Sequence, residues 1–220
     1  MWLDELTLIQ KVAVSALPII FAVVLHEVAH GWTARYCGDN TAWQQGRLSL
    51  NPLTHIDPVG TVLVPLLLLV TVGFAFGWAK PVPINWANLR HPRRDIVLVA
   101  AAGPLANLLM AIFWAVILKL AMVLPNEMEW LIRPLVYMSY IGIMVNVVLM
   151  VFNLLPLPPL DGGRIATNLL PYPWGSYLAR VEPFGFLILL ILLASGYLSK
   201  LIWPGIQAVI GIILNLFGLN

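Results

Sequence analysis

The chain has 220 residues, of which 60% are hydrophobic and only 10% are charged. Because soluble domains carry about 25% charged residues, this composition excludes a water-soluble globular protein and predicts an all-α polytopic membrane protein. The net charge of +2 comes from cations in short loops between apolar runs, which is typical of orientation signals rather than of a nucleic-acid surface. The single cysteine, Cys37, excludes an intrachain disulfide and a cysteine-rich zinc site.

About five to six apolar segments, each bounded by Pro, Gly or charged residues, follow one another along the chain. They are residues 6–36, 59–76, 95–124, 131–155, 184–198 and 201–219. The last two, joined tightly at Ser199 and Lys200, predict a C-terminal helical hairpin at about 183–219.

The segment at 59–76 differs from the others because Gly60, Pro65 and Gly73 interrupt it. Cations flank it, follow the first predicted helix and also follow Asp161, so these loops are expected to face the cytoplasm. Three full crossings between the first helix and Asp161 would contradict that assignment. We therefore expect residues 59–76 to be re-entrant or only partly inserted.

The sequence His26-Glu27-Val28-Ala29-His30 matches H-E-x-x-H near the end of the first predicted helix. Residues i and i+4 share one face of a helix, so both imidazoles can bind one zinc ion while Glu27 serves as a general base. An ionisable residue within a membrane span costs about 2.5–3.5 kcal/mol. Three such side chains in five positions therefore favour a metal site over a helix end whose histidines meet lipid headgroups.

A third ligand is expected because catalytic zinc sites use three protein ligands and keep one position open. Asp161 is the best candidate, and it follows a stretch in which Pro156, Pro158 and Pro159 disfavour a helix. We therefore expect Asp161 to lie on irregular backbone. The alternative is that Asp161-Gly162-Gly163 forms only an interfacial turn.

Together these residues resemble the site-2 protease family of intramembrane zinc metalloproteases. The likeness rests on three motifs, which are His26-Glu27-Val28-Ala29-His30, Asn153-Leu154-Leu155-Pro156 and Leu160-Asp161-Gly162. The stretches 51–60, 77–85 and Gly103-Pro104-Leu105-Ala106-Asn107 are also similar to the compact bacterial branch that lacks PDZ and CBS domains.

The resemblance implies one zinc ion per chain, bound by His26, His30 and Asp161, with Glu27 as general base. It also implies that Asn153 faces the substrate carbonyl and stabilises the oxyanion, which suits the need for a fixed donor in a dry site. The alternative for Asn153 is a helix C-cap. The chain is then a single integral-membrane protease domain (1–220), with a catalytic core at about 6–163.

The resemblance further implies hydrolysis of transmembrane substrate proteins or remnant signal peptides near the cytoplasmic side of a prokaryotic plasma membrane. The lipid bilayer is the other expected partner, and nucleic acid is not one. Two rival functions are a membrane transporter or metal carrier, which also needs an ionisable cluster in the membrane, and an inactive zinc-binding adaptor.

Several further residues have supporting roles in this interpretation. Asn107 is expected to bond freed backbone or a neighbouring helix rather than to act in catalysis. His55 and Asp57 are expected to stabilise their loop, with a role next to the metal site as the alternative. The resemblance also implies a short membrane-associated loop or hairpin. The Trp78–Pro83 stretch, with Trp78, Pro81 and Pro83, would be its strand edge for an extended substrate, and the alternative is an interfacial aromatic anchor.

Overall fold

A computed structural model describes residues 6–64 and 79–219. Within these ranges the α-helices are α1 (Leu8–Cys37), α2 (Thr41–Gln44), α3 (Pro92–Ala121), α4 (Glu129–Asn153), α5 (Asp161–Leu169), α6 (Trp174–Ala179), α7 (Glu182–Ala194) and α8 (Tyr197–Phe217). Short 3-10 turns lie at Pro52–His55, Trp86–Asn88 and Asn126–Met128, and a π-helical turn lies at Pro58–Leu63. No strand occurs in the described ranges, and four of their helices are long and apolar enough to cross a membrane. The predicted all-α polytopic fold is confirmed.

Helix α1 has clear signals at both ends. Thr7 Oγ1 accepts a hydrogen bond from the Gln10 amide while Gln10 Oε1 accepts one from the Thr7 amide, a reciprocal capping box. Gly38 ends the helix with a φ of 117°, a conformation in which a Cβ would be strained. Its 30 residues span about 45 Å, more than the roughly 30 Å hydrocarbon core.

Helices α1, α3 and α4 form the bundle that carries the site. Asn107 of α3 contacts Ala22 of α1, and Val99 contacts His30, so the two helices run in opposite directions. Helix α4 follows α3 after a short connection at 122–128 and returns beside it. The C-terminal ends of α1 and α4 therefore lie on the same side of the bundle.

The loop region between α1 and α3 begins and ends on that same side. The Arg90 amide donates to the Cys37 carbonyl at 3.1 Å, which brings the end of α1 next to the start of α3. The two ends of the loop region are thus on one side of the bundle, while the re-entrant segment itself stays a prediction. Most of the predicted re-entrant element, together with Trp78, lies outside the described residues.

The second half of α3 packs with α4 and α8 around an apolar core. Ala111, Ala115 and Leu118 are fully buried there. Gly142 lets α4 approach the Trp114 ring so closely that a Cβ would collide with it. In lipid, where burial from water does not drive helix association, such close packing is a main source of stability.

The two C-terminal helices are joined earlier than predicted. Helices α7 and α8 meet at Ser195 and Gly196, whereas Ser199 and Lys200 belong to α8. Gly196 has a φ of 72°, which permits a change of chain direction there. The prediction relied on the polar residues, but backbone freedom decides where the chain turns.

Candidate metal centre

His26 and His30 lie side by side within the bundle. They are one helical turn apart on α1, and each is only 8% exposed. Their ring planes are nearly perpendicular, and their Nε2 atoms are 3.1 Å apart. The i, i+4 spacing therefore brings the two imidazoles together as the sequence predicts.

The other nitrogen of each ring has a partner that can only accept. His30 Nδ1 donates to the Val99 carbonyl at 2.7 Å, and His26 Nδ1 donates to the Asn107 side-chain oxygen at 2.6 Å. In a neutral imidazole the hydrogen must then reside on Nδ1, which leaves the Nε2 lone pair free. Metal-binding histidines are typically oriented in this way.

Asp161 completes the cluster from a distant part of the chain. Its Oδ2 atom lies 3.3 Å from His26 Nε2 and 3.4 Å from His30 Nε2. The same oxygen is buried and has no hydrogen-bond partner among the described residues. The predicted juxtaposition of these three side chains is therefore present.

Asp161 itself is not on irregular backbone, contrary to the sequence-based expectation. Residues 154–160 are irregular, as the prolines predict, but Asp161 is the first residue of α5. A carboxylate is favourable in the first turn of a helix because free amide groups lie there. Gly162 and Gly163 fix this turn, since a Cβ on either would collide with the backbone of Leu154 or of Leu157 and Pro158.

The spacing of the three atoms fits a zinc ion. Two ligand atoms at about 2.0–2.1 Å from one zinc ion, with tetrahedral angles, lie about 3.3–3.4 Å apart. The observed separations are 3.1, 3.3 and 3.4 Å. The Nε2 lone pairs of the two histidines and the carboxylate oxygen of Asp161 repel one another in a low-dielectric interior. A cation bound between them would attract all three atoms.

Gly103 of α3 packs directly against the imidazole rings of His26 and His30. A Cβ at this position would collide with His30 Nε2 and come within 2.6 Å of the Cε1 atom of either ring. Helix α3 can therefore approach the site only because residue 103 has no side chain. The Gly-Pro pair within an apolar helix was a sequence signal for this, but the contact itself joins residues more than seventy positions apart.

Glu27 points toward the extended segment that precedes α3. Its Oε2 atom accepts a hydrogen bond from the Val82 amide at 2.9 Å. The neighbouring backbone is also held, because Lys80 donates to the His55 carbonyl and Arg47 donates to the carbonyls of Lys80 and Pro81. The candidate base is thus held by a segment whose contact with Glu27 was not among the roles that the sequence suggested for it.

Asp39 anchors the other end of this segment. Its carboxylate accepts hydrogen bonds from both the amide and the hydroxyl of Thr41, from the Asn85 amide and from the Asn88 side chain. Burial raises the pKa of Asp39, but the hydrogen bonds together outweigh it, so the net pKa is lowered. The ionised carboxylate therefore ties the loop after α1 to residues 85–88.

Asn153 and Asn107 occupy different positions relative to the cluster. Asn153 is the last residue of α4, is partly exposed, and donates to the Leu149 carbonyl of its own helix at 3.0 Å. Asn107 is fully buried, and besides accepting from His26 it donates to the Ala22 carbonyl and to Asn146. Of the two partners expected for Asn107, the structure shows the neighbouring helices, through Ala22 of α1 and Asn146 of α4.

His55 and Asp57 lie outside the metal cluster. His55 is buried and its Nε2 donates to the Ser49 carbonyl at 2.8 Å. Asp57 accepts from the amides of Val59 and Gly60 at the start of the π-helical turn. Both contacts favour the loop-stabilising interpretation of these two residues.

Helices long enough to cross a membrane, together with a buried His–His–Asp cluster that could hold a metal ion, are the features of a membrane-embedded metalloprotein. A family model described as "Peptidase family M50" matches residues 120–194. The chain is 40% identical, over 90% of its length and 88% of the relative, to "Putative zinc metalloprotease YwhC" of Bacillus subtilis. It is 32% identical, over 82% of its length and 66% of the relative, to "Putative zinc metalloprotease Rip2" of Mycolicibacterium smegmatis. No solved structure matches the chain.

The chain therefore belongs to peptidase family M50, the site-2 protease family of integral membrane metalloproteases. Its bacterial relatives and its apolar helices identify it as an integral protein of a prokaryotic membrane.

Proposed function

We propose that the chain is an intramembrane zinc metalloprotease that hydrolyses peptide bonds of transmembrane proteins or remnant signal peptides. The observation that supports this most directly is the convergence of His26 Nε2, His30 Nε2 and Asp161 Oδ2 within 3.4 Å of one another. These three residues would hold one zinc ion per chain. When bound, zinc supplies Lewis-acid polarisation of the scissile carbonyl and makes a water molecule more acidic.

Glu27 is the proposed general base. It directly follows one ligand, and the Val82 amide holds one of its two carboxylate oxygens. The other oxygen is then available to take a proton from the attacking water and to pass it to the leaving amine. A glutamate between two ligating histidines has a clear purpose in hydrolysis, whereas transport of a metal gives it none.

Asn153 is the proposed oxyanion donor. It lies at the end of α4, and the irregular 154–160 segment connects it to Asp161. Within residues 6–64 and 79–219 its amide donates only to the Leu149 carbonyl of its own helix, at 3.0 Å, so a rotation of the side chain can redirect the N–H toward a substrate oxygen. A donor at that point stabilises the charge that develops when the carbonyl is attacked.

The substrate must reach this cluster as extended chain. Amides in a transmembrane helix are hydrogen-bonded internally, so a scissile bond becomes open to attack only after local unwinding. Gly, Pro or Asn near the cleavage point should promote that unwinding.

Cleavage is proposed to occur near the cytoplasmic face. Arg35, Arg90 and Arg94 lie near the end of the bundle that holds the histidines, and positive charge marks cytoplasmic loops. Single cysteines at positions 90 and 127, in a Cys37→Ala background, provide the test. Labelling of position 90 from the outer face alone would contradict the assignment.

The decisive experiment compares zinc content and cleavage of a model membrane helix in three proteins. Wild type should hold zinc and cleave, Asp161→Ala should lose both, and Glu27→Gln should keep zinc while cleavage falls by about 10²–10⁴-fold. Glu129→Gln, which alters an exposed carboxylate, is the matched control and should behave as wild type. If Glu27→Gln keeps full function, the protease proposal fails and a transporter or an adaptor is favoured.

A further inference from the structure

Asn146 is a polar residue in the middle of α4 that the proposed mechanism does not use. Its side chain has no exposed surface. It donates through Nδ2 to the Gly142 carbonyl at 2.8 Å and accepts through Oδ1 from Asn107 Nδ2 at 2.9 Å. Both polar atoms of the Asn146 side chain, Nδ2 and Oδ1, therefore have a specific hydrogen-bond partner.

The backbone carbonyl of Gly142 sets the orientation of the Asn146 side-chain amide. The Gly142 carbonyl can only accept, so Asn146 must direct its nitrogen there and its oxygen toward Asn107. Asn107 in turn directs its nitrogen at two acceptors, the Ala22 carbonyl and the Asn146 oxygen. Only the Asn107 oxygen then remains for His26.

A directed chain of hydrogen bonds thus crosses three helices. It runs from His26 on α1 through Asn107 on α3 to Asn146 on α4, and it ends on the Gly142 carbonyl. The orientation of each side chain in this series of bonds is set by the partner that follows it. With both amides fixed, His26 must carry its hydrogen on Nδ1, and its Nε2 lone pair faces the metal cluster.

We infer that Asn146 is a positioning residue for zinc binding, which acts through Asn107 to fix the tautomer and the ring orientation of His26. This inference rests on the proposed function. Without the Asn146 oxygen, one N–H of Asn107 is left unpaired in the protein interior, and only the Ala22 carbonyl still holds its amide nitrogen. The acceptor of His26 is then held less firmly, and so is the orientation of His26 Nε2 toward the metal cluster.

The expected effect is a weaker zinc site in an intact bundle. Removal of groups that orient a metal ligand lowers metal affinity by about 10–100-fold. Because Asn146 acts through one intermediate residue, we expect Asn146→Leu to lower zinc affinity by about 10-fold, the lower end of that range. Asn146→Asp should restore most of the affinity, since a carboxyl in this apolar interior takes its neutral form and can then both donate to Gly142 and accept from Asn107.

The experiment measures zinc affinity of the purified full chain by competition with a chromophoric chelator, together with visible spectra of the cobalt-loaded protein. The variants are Asn146→Leu, Asn146→Asp, Asn107→Leu and the double Asn107→Leu/Asn146→Leu. Ser139→Ala is the matched control, because Ser139 is equally buried on α4 and its hydroxyl has no partner among the described residues. If Asn146→Leu is not recovered folded, Asn146→Ala replaces it.

We expect Asn146→Leu to weaken zinc binding and alter the cobalt spectrum, and the loss to vanish in the Asn107→Leu background. A general packing defect would instead persist in the double variant and would not be rescued by Asp. Wild-type affinity in Asn146→Leu, or equal loss in the Leu and Asp variants, overturns the inference. Failure of the wild type itself to bind zinc would overturn the proposed function instead.

Discussion

The two halves of the metal cluster are held in different ways. His26 and His30 lie inside the helical bundle, where the Nδ1 atom of each donates to a fixed acceptor. Asp161 Oδ2 has no hydrogen-bond partner in the described part of the chain, and its position comes from the close approach of Gly162 and Gly163 to preceding backbone. Hydrogen bonds orient the imidazoles, whereas steric packing places the carboxylate.

This difference shows how a site can be assembled from distant parts of a membrane protein. The histidine half is formed by helices that are stable because their backbone bonds are internal. The aspartate half follows a proline-interrupted segment, in which a few turn hydrogen bonds, such as those from Leu157 to Leu155 and from Leu160 to Leu157, replace the continuous bonding of a helix. The position of this segment therefore depends more on what it packs against. The two halves should therefore respond to different substitutions.

The largest effect is expected from Gly103→Ala, which adds a methyl group directly beneath both imidazoles. At least one ring must move, and we expect zinc affinity to fall by more than about 100-fold, with cleavage lost alongside. Zinc titration and a cleavage assay measure this. Gly211→Ala is the control, since a Cβ there meets nothing within 4 Å in the described structure. Equal zinc affinity in the two variants would refute the described packing.

Asn153→Ala should separate chemistry from metal binding. Loss of an oxyanion donor lowers kcat by about 10²–10³-fold, while zinc content should stay at the wild-type level because Asn153 touches no ligand in the described contacts. Steady-state kinetics beside metal analysis provides the check. A kcat equal to that of wild type would contradict the oxyanion role and leave Asn153 with a structural role, its bond to the Leu149 carbonyl.

Gly163→Ala tests the aspartate half alone. Its Cβ would meet the backbone of Leu157 and Pro158, which cannot rotate away as a side chain can, so the start of α5 must shift. Misplacement of a ligand in this way should weaken zinc binding by about 10-fold, and the Nδ1 hydrogen bonds of the histidines should persist. Nitrogen NMR of the imidazoles would report those bonds. Their loss in this variant would show that the two halves are not independent.

The smallest effect concerns Asp39, which lies away from the cluster. Because its pKa is lowered in the folded chain, its ionised form stabilises the fold at pH values above the unfolded pKa, and that stability is lost as pH falls through the folded pKa. Asp39→Asn should lower the thermal midpoint of unfolding in detergent by a few degrees at neutral pH. The difference in thermal midpoint between the variant and the wild type should become smaller under acid conditions. A gap that does not change with pH would contradict this role.

The histidine half could be predicted from sequence because its signal is local. The two ligands are four positions apart on a helix whose apolar run is obvious, and the observed α1 agrees with the prediction to within two residues. Asp161 emerged as a candidate because few acidic residues follow an apolar span. That it begins a helix could not be anticipated, since the prolines before it indicated an extended chain and the packing of Gly162 is a tertiary contact.

The supporting contacts were beyond the reach of sequence for the same reason. The Val82 amide reaches Glu27 across 55 positions, and Val99 reaches His30 across 69. Backbone groups carry no identity in the sequence, so no motif marks them. Asn146 was also missed, because one amide in an apolar helix gives no indication of its partner.

The most direct test of the central claim is X-ray absorption at the zinc edge on the Glu27→Gln protein, which should retain the metal without turnover. We predict scattering from two imidazoles and at least one carboxylate oxygen, with the oxygen contribution reduced or the zinc lost in Glu27→Gln/Asp161→Ala. A spectrum without imidazole, or one that Asp161→Ala leaves unchanged, would contradict a site formed by His26, His30 and Asp161.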